Sequence, residues 1–513
     1  MLTTFFGKKS EHPLADIKSA QAQIDDLPKN DAYRSLADLT DLVESLHENG
    51  DFKLDHQFAV LRLLDEAAQP HVRKLTKEYF TPFEISKFQE NRLWIALNNW
   101  SHRIAAAYFT VFTAYRNGDK GSSAIKAQLP LLAVRAIHAL MWELKYTCAH
   151  YAKTSDTIWP GLLQLYQHAE QNQYLSTPVV LYPGINGNTS VKHELAHIMV
   201  WHDAGLSALS PMYIHLTERL AAQYASTMDI RAQLDQHSRL CFDLERPSEP
   251  SRVNAGATTH PSMRFIGMPE MKSRLEDLLK VLNKNIVPND INLGGTYEAD
   301  IIKEAAQYLL NYVIAPPVRR NTRRAVDVTL GIVNGFDNVM QSADAWLGFE
   351  DVEKMNWVTE EVSANGFSCK VPVKGTESIG IGSLLGMQPE GVPHWGVAVV
   401  RRLLRDDSDH LKVGAQILSN QVASVMLNQN KLAGGAMENG QPALWLYSRQ
   451  DDTAGEVQLL MRADTFSASR SLQVQLSGKT YLLMPGGLQE KGLDYDLAKF
   501  RFAVQEADSA ETA

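Results

Sequence analysis

Apolar residues recur every three or four positions along roughly the first 310 residues, and at every second position over much of the remainder. The first spacing lays one face of a helix against a core, and the second does the same for one face of a strand. From Asp31 onward Leu36, Leu39, Leu42, Val43 and Leu46 share such a helical face. Two long helices are predicted over 82–116 and 122–152, with Asn117-Gly118 as the break, because glycine ends helices in a left-handed conformation. The stripe Trp94, Leu97, Trp100, Tyr108 and Phe112 reads as core. Further helices are expected over 158–174, from Ser190, and over 211–233, 270–284 and 296–312, with a short apolar strand or turn at Pro178 to Pro183. Cys241 to Met268 is rich in Pro, Ser, Gly and Thr and reads as a hinge or junction of loops.

Pro316-Pro317 stop the last of these helices, and the pattern changes to period two. Val326, Val328, Leu330 and Ile332 alternate with polar or small residues, then Gly335 to Gly348 has a helical look. Strands follow at 396–403, 411–418, 443–448 and 456–461, with a hairpin over 472–484 turning at Ser477-Gly478. The fold class expected is α+β multidomain: a helical domain over 1–240, a junction with two helices over 241–315, a β-barrel over 316–425, a β-rich extension or second barrel-like module over 426–506, and a frayed tail over 507–513. Helix-turn-helix order in the first part is similar to stacked hairpins, but no clean 34-residue repeat supports a repeat array.

The candidate chemistry lies where the helices give way to strands. Arg319, Arg320, Arg323 and Arg324 form a basic cluster, and Glu361-Val-Ser363-Ala-Asn365-Gly366 follows on a later strand and turn. Guanidinium groups fork parallel donors onto phosphate oxygens or onto the O6/N7 edge of guanine, so clustered arginines suit a compact phosphorylated guanine ligand. The two segments together resemble the paired signature of PilZ domains, RxxxR followed by (D/N)xSxxG, and the resemblance covers about residues 311–425. It implies a small β-barrel that binds cyclic di-GMP and regulates a protein partner in bacterial motility, pili, adhesion or polysaccharide output. Arg320 and Arg324 match the two arginines, with Arg319 and Arg323 at the same spacing. Arg324 is the favoured second arginine because it is expected immediately before the alternating strand. Ser363 matches the serine that contacts the ligand, and Gly366 the glycine that lets the turn pass close to it. Glu361 departs from the signature, adding a methylene and, against Asn, a negative charge near a dianionic ligand. A barrel of this kind that has lost its ligand and serves as a scaffold is one alternative.

A second alternative comes from His193-Glu194-Leu-Ala-His197, an HExxH motif. On a helix it places two imidazoles on one face for Zn²⁺, with the glutamate as general base. Glu218, in the next predicted helix, is the candidate third ligand of a zinc metallopeptidase, whereas His202 falls on another part of the helix surface.

Composition narrows these readings. A net charge of −9 and a pI near 6.0 speak against a general nucleic-acid binder. Cys148, Cys241 and Cys369 lie far apart without paired spacing, as expected of reduced thiols. No export signal and no apolar run of about 20 residues is evident, so a cytoplasmic, non-inserted protein is expected. There is no phosphate-loop or dinucleotide fingerprint, and the leading expectation is a non-enzymatic receptor without cofactor, its ligand cyclic di-GMP and its helical region facing an unknown protein partner.

Overall fold

Helix boundaries follow the caps the chain supplies. Asp16 accepts from the Ser19 amide and Ser190 from the His193 amide, while Gly118 ends its helix at φ 76°. In this computed structural model, described over residues 12–48, 52–81, 83, 85–184, 187–254, 259–315, 322–343, 352–429, 440–447, 455–476 and 478–505, the chain divides at Pro317/Val318 into two compact units.

The first unit opens with α1 (Ile17–Asp25), α2 (Ala32–Glu48), α3 (Leu54–Tyr79), α4 (Lys87–Asn117) and α5 (Ser122–Ile125). It continues with α6 (Leu129–Ala149), α7 (Ile158–Gln171), α8 (Val191–His202) and α9 (Pro211–Gln223). Leu36, Leu39, Val43 and Leu46 of α2 are buried, as are Leu97, Trp100, Tyr108 and Phe112 of α4, in one continuous core. Each such side chain contributes about 1.5–3 kcal/mol by leaving water. The segment Ser122–Ala149 is long and apolar enough, among the described residues, to cross a membrane by composition; 61% of that window is buried in the fold.

The stretch read as a loop junction is instead partly strand. Strands β1 (Asp229–Arg231), β2 (Ser238–Asp243), β3 (Ser251–Arg252) and β4 (Met263–Gly267) form a sheet in the order β1-β4-β2-β3. The helix expected to reach 233 ends at Gln223, and a 3-10 turn over Ala225–Thr227 leads into β1. These strands are too short for alternation to register, and β1 and β2 pair with β4, about 20 to 38 residues further along. Helices α10 (Met271–Leu282) and α11 (Ala299–Ile314) close the unit.

The second unit holds two closed six-stranded barrels. The first contains β5 (Thr329–Asn334), β6 (Met355–Ser363), β7 (Gly366–Pro372), β8 (Leu384–Pro389), β9 (Gly396–Arg405) and β10 (His410–Ser419), in the order β10-β7-β6-β5-β8-β9. The second contains β11 (Val422–Gln429), β12 (Gln441–Leu446), β13 (Glu456–Arg462), β14 (Leu472–Leu476), β15 (Lys479–Lys491) and β16 (Tyr495–Gln505), in the order β11-β12-β13-β16-β15-β14. Closure gives every barrel strand a paired neighbour on both sides. Between them lies α12 (Phe336–Ala343), the segment with the helical look. Phe336 and Val339 of α12 join Leu384, Trp395, Val397 and Val399 of the first barrel with Leu444, Leu446, Leu460 and Leu497 of the second in one buried cluster. Arg401 donates to Glu490 from one barrel to the other at 2.8 and 2.5 Å, and Arg462 reaches Asp337 of α12 at 2.7 Å.

Candidate functional site

The arm that precedes the first barrel is tied to β6 by backbone and side chain. The Arg324 amide donates to the Val362 carbonyl and the Val362 amide to the Arg324 carbonyl, both at 2.9 Å, forming an isolated bridge. Beside it the Arg323 guanidinium meets the Glu361 carboxylate at 2.6 Å. Regular strand begins only at Thr329, four residues later than placing Arg324 directly before the strand requires. The Thr359 side chain explains the gap: its hydroxyl accepts from the Val328 amide at 3.0 Å and also bonds the Val326 carbonyl, replacing ladder pairs. A register shift between Thr359 and Glu361 falls at the same place and re-aims the residues that follow.

The β6–β7 hairpin completes the locality. Ser363 Oγ donates to the Gly366 carbonyl at 3.1 Å, and the Asn365 carbonyl accepts from the Ile417 amide at 3.0 Å. Ser363 is half-buried and Asn365 exposed. Gly366 has no left-handed φ; a Cβ there would sit 2.5 Å from the Ala415 carbonyl oxygen of β10. The need for glycine thus arises from strand packing within the barrel. Arg323, Arg324, Glu361, Ser363, Asn365 and Gly366 are therefore neighbours, whereas Arg319 and Arg320 lie outside the described residues.

A second concentration of polar groups is buried in the helical unit, and it contains the HExxH motif. Trp142 Nε1 donates to His138 Nε2 at 2.9 Å, which leaves the His138 proton on Nδ1, 3.6 Å from Glu194 Oε2. His197 lies between two carboxylates, Nδ1 at 3.9 Å from Glu194 and Nε2 at 3.5 Å from Glu218. Glu218 in turn holds the fully buried Lys145 ammonium at 2.5 Å, and that ammonium lies 4.4 Å from the centre of the Trp142 ring. The result is a chain of groups running Trp142, His138, Glu194, His197, Glu218 and Lys145 across α6, α8 and α9. Burial pushes the Glu194 carboxyl up, but its contacts with His138 and His197, and the Thr189 hydroxyl at 2.8 Å, outweigh this and bring it down to about 2. Burial likewise opposes ionisation of Glu218, and Lys145, Arg219 and His197 hold it well below the usual carboxylate range.

Of the residues of the zinc alternative, His197 and Glu218 approach within 3.5 Å, with Glu194 3.9 Å from His197. The two nitrogens of His197 face different carboxylates, Lys145 engages Glu218, and half-buried His193 donates its backbone amide to the capping Ser190 hydroxyl. Among the described residues no group of three or more His, Cys, Asp or Glu side chains is placed to hold a metal ion.

Next to this chain, Asp65 accepts from Tyr108 at 2.6 Å and from Gln69 at 2.9 Å, and lies 3.8 Å from Arg135. Arg135 also donates to Glu66 at 2.6 Å and to the Leu181 carbonyl at 3.0 Å. Arg135 and His138 were not among the candidate residues of the sequence analysis. Their spacing with Trp142 and Lys145, three, four and three residues, puts all four on one helix face and was the available signal.

Residues 18–234 match the family described as cyclic-di-GMP receptor FimW, N-terminal domain. The match takes in α1 to α9 and the buried polar chain, and stops before both barrels. No curated protein and no solved structure matches the chain.

Proposed function

We propose that this chain is a cyclic di-GMP receptor that binds its ligand at the first barrel and acts on a protein partner through its helical unit, without chemistry of its own. The observation that supports the reading is the contact of Arg323 with Glu361 and of Arg324 with Val362, which brings the described arginines of the cluster beside the second segment of the PilZ-like signature. The likeness of residues 18–234 to a cyclic di-GMP receptor's N-terminal domain supports it from the other end of the chain. In this reading Arg320 and Arg324 take the phosphates and guanine edges, Arg319 and Arg323 extend the clamp, and Ser363 with the turn through Asn365 and Gly366 forms the floor. Ordering the arm costs roughly 1–2 kcal/mol per residue fixed, which charge-assisted hydrogen bonds offset. Pro316-Pro317 link the arm to the helical unit, so arm order is the signal passed on to a partner in motility, pilus, adhesion or polysaccharide control in the cytoplasm. Equilibrium dialysis of the full chain against labelled cyclic di-GMP tests this. Saturable uptake, resistant to excess GMP, is expected; uptake that GMP abolishes, or none, would sink it.

A further inference from the structure

We propose that Glu361 sets the affinity of the arginine arm by acting as a built-in competitor for Arg323. The proposal rests on the receptor reading above and adds how that site is regulated. Arg323 places a guanidinium nitrogen 2.6 Å from a Glu361 oxygen, so the carboxylate occupies a donor that a phosphate group would otherwise take. Glu361 follows the register shift in β6, next to the Val362 bridge to Arg324, which brings its side chain within reach of the arm. The extra methylene relative to Asp or Asn lengthens that reach.

Both side chains remain about one-third exposed, 34% for Arg323 and 38% for Glu361. A pair so exposed to water is worth little, so a dianion can displace it, yet each displacement subtracts from the affinity gained. The acidic side chains nearby are arranged differently: Glu360 is paired with Lys412 of β10 at 2.9 Å, across the barrel wall. Glu361 thus contacts the arm through an arginine of the cluster.

A competitor differs from a simple repulsive charge in one testable respect. If Glu361 acts through Arg323, removing its charge helps only while Arg323 is present. Four full-length proteins are needed: wild type, Glu361→Gln, Arg323→Ala and the double variant, each titrated calorimetrically with cyclic di-GMP after a circular dichroism check of folding. Glu361→Gln is expected to bind about two- to fivefold more tightly than wild type. The same substitution in the Arg323→Ala background is expected to give no gain. An equal gain in both backgrounds would show plain repulsion and overturn the proposal. A loss of affinity in Glu361→Gln would show that the carboxylate positions Arg323, and would overturn it as well. Equal binding by wild type and Glu361→Gln removes this inference and leaves the receptor reading standing, whereas no binding by any of the four removes both.

Discussion

Replacing Lys145 with Met should destabilise the helical unit more than any surface change, because it strands a carboxylate in the core. Glu218 is 1% exposed and its closest cation is the Lys145 ammonium at 2.5 Å; Arg219 at 3.8 Å and His197 at 3.5 Å would remain. Removing one partner of a buried pair typically costs about 3–5 kcal/mol, since the other charge stays desolvated and unpaired. The two remaining neighbours place the expected loss at the lower end, about 3 kcal/mol. Methionine keeps most of the packing against Trp142 and Phe80, so lost volume adds little. The companion variant Lys145→Met/Glu218→Gln removes both charges and should recover to within about 1–2 kcal/mol of wild type. Guanidinium denaturation of the full chain followed at 222 nm, where helices dominate the signal, reads the first unit's transition. A loss below about 1 kcal/mol in the single variant, or a double variant worse than the single, would refute the reasoning.

Two further outcomes are expected. Glu194, ionised down to about pH 2 in the folded chain against its ordinary value of 4.5, lends stability that is fully present above pH 4.5 and is lost as pH falls toward 2. Stability measured across that window should therefore fall less steeply in Glu194→Gln, and an unchanged slope would contradict the assignment. Gly366→Ala, whose new Cβ would meet the Ala415 carbonyl at 2.5 Å, should force β7 away from β10 and lower the barrel's melting temperature; an alanine variant as stable as wild type would show that the strands yield freely.

Much of the architecture was legible because period and punctuation agreed. Asp16, Ser190 and Gly118 mark helix ends, and the alternation at Leu330 and Ile332 marks a strand whose apolar side is buried. What failed were segments whose pairing is set from far away. β2 and β4 are five or six residues long in a Pro- and Ser-rich stretch, and pairing with each other and with β3 and β1 makes them strands. Similarly, periodicity gave α12 a helical look but could not show that Phe336 and Val339 weld two barrels into one core.

The candidate site divides along the same line. The spacing of arginines and of Glu361, Ser363 and Gly366 was visible, but the bond from Arg323 to Glu361 depends on a bulge at Thr359 that no local pattern encodes. The HExxH motif was visible too. What no local pattern encodes is that His138 of α6 approaches its Glu194 at 3.6 Å and that Glu218 of α9, held by Lys145, approaches its His197 at 3.5 Å.

The central claim is that the arm and hairpin of the first barrel bind cyclic di-GMP. Calorimetric titration of the full-length chain with cyclic di-GMP, beside Arg320→Ala/Arg324→Ala, tests it most directly. The account predicts saturable binding at micromolar concentration or tighter, lost in the double variant while His193→Ala binds as wild type does. Binding that survives loss of both arginines, or heat absent from the wild-type titration, would contradict it.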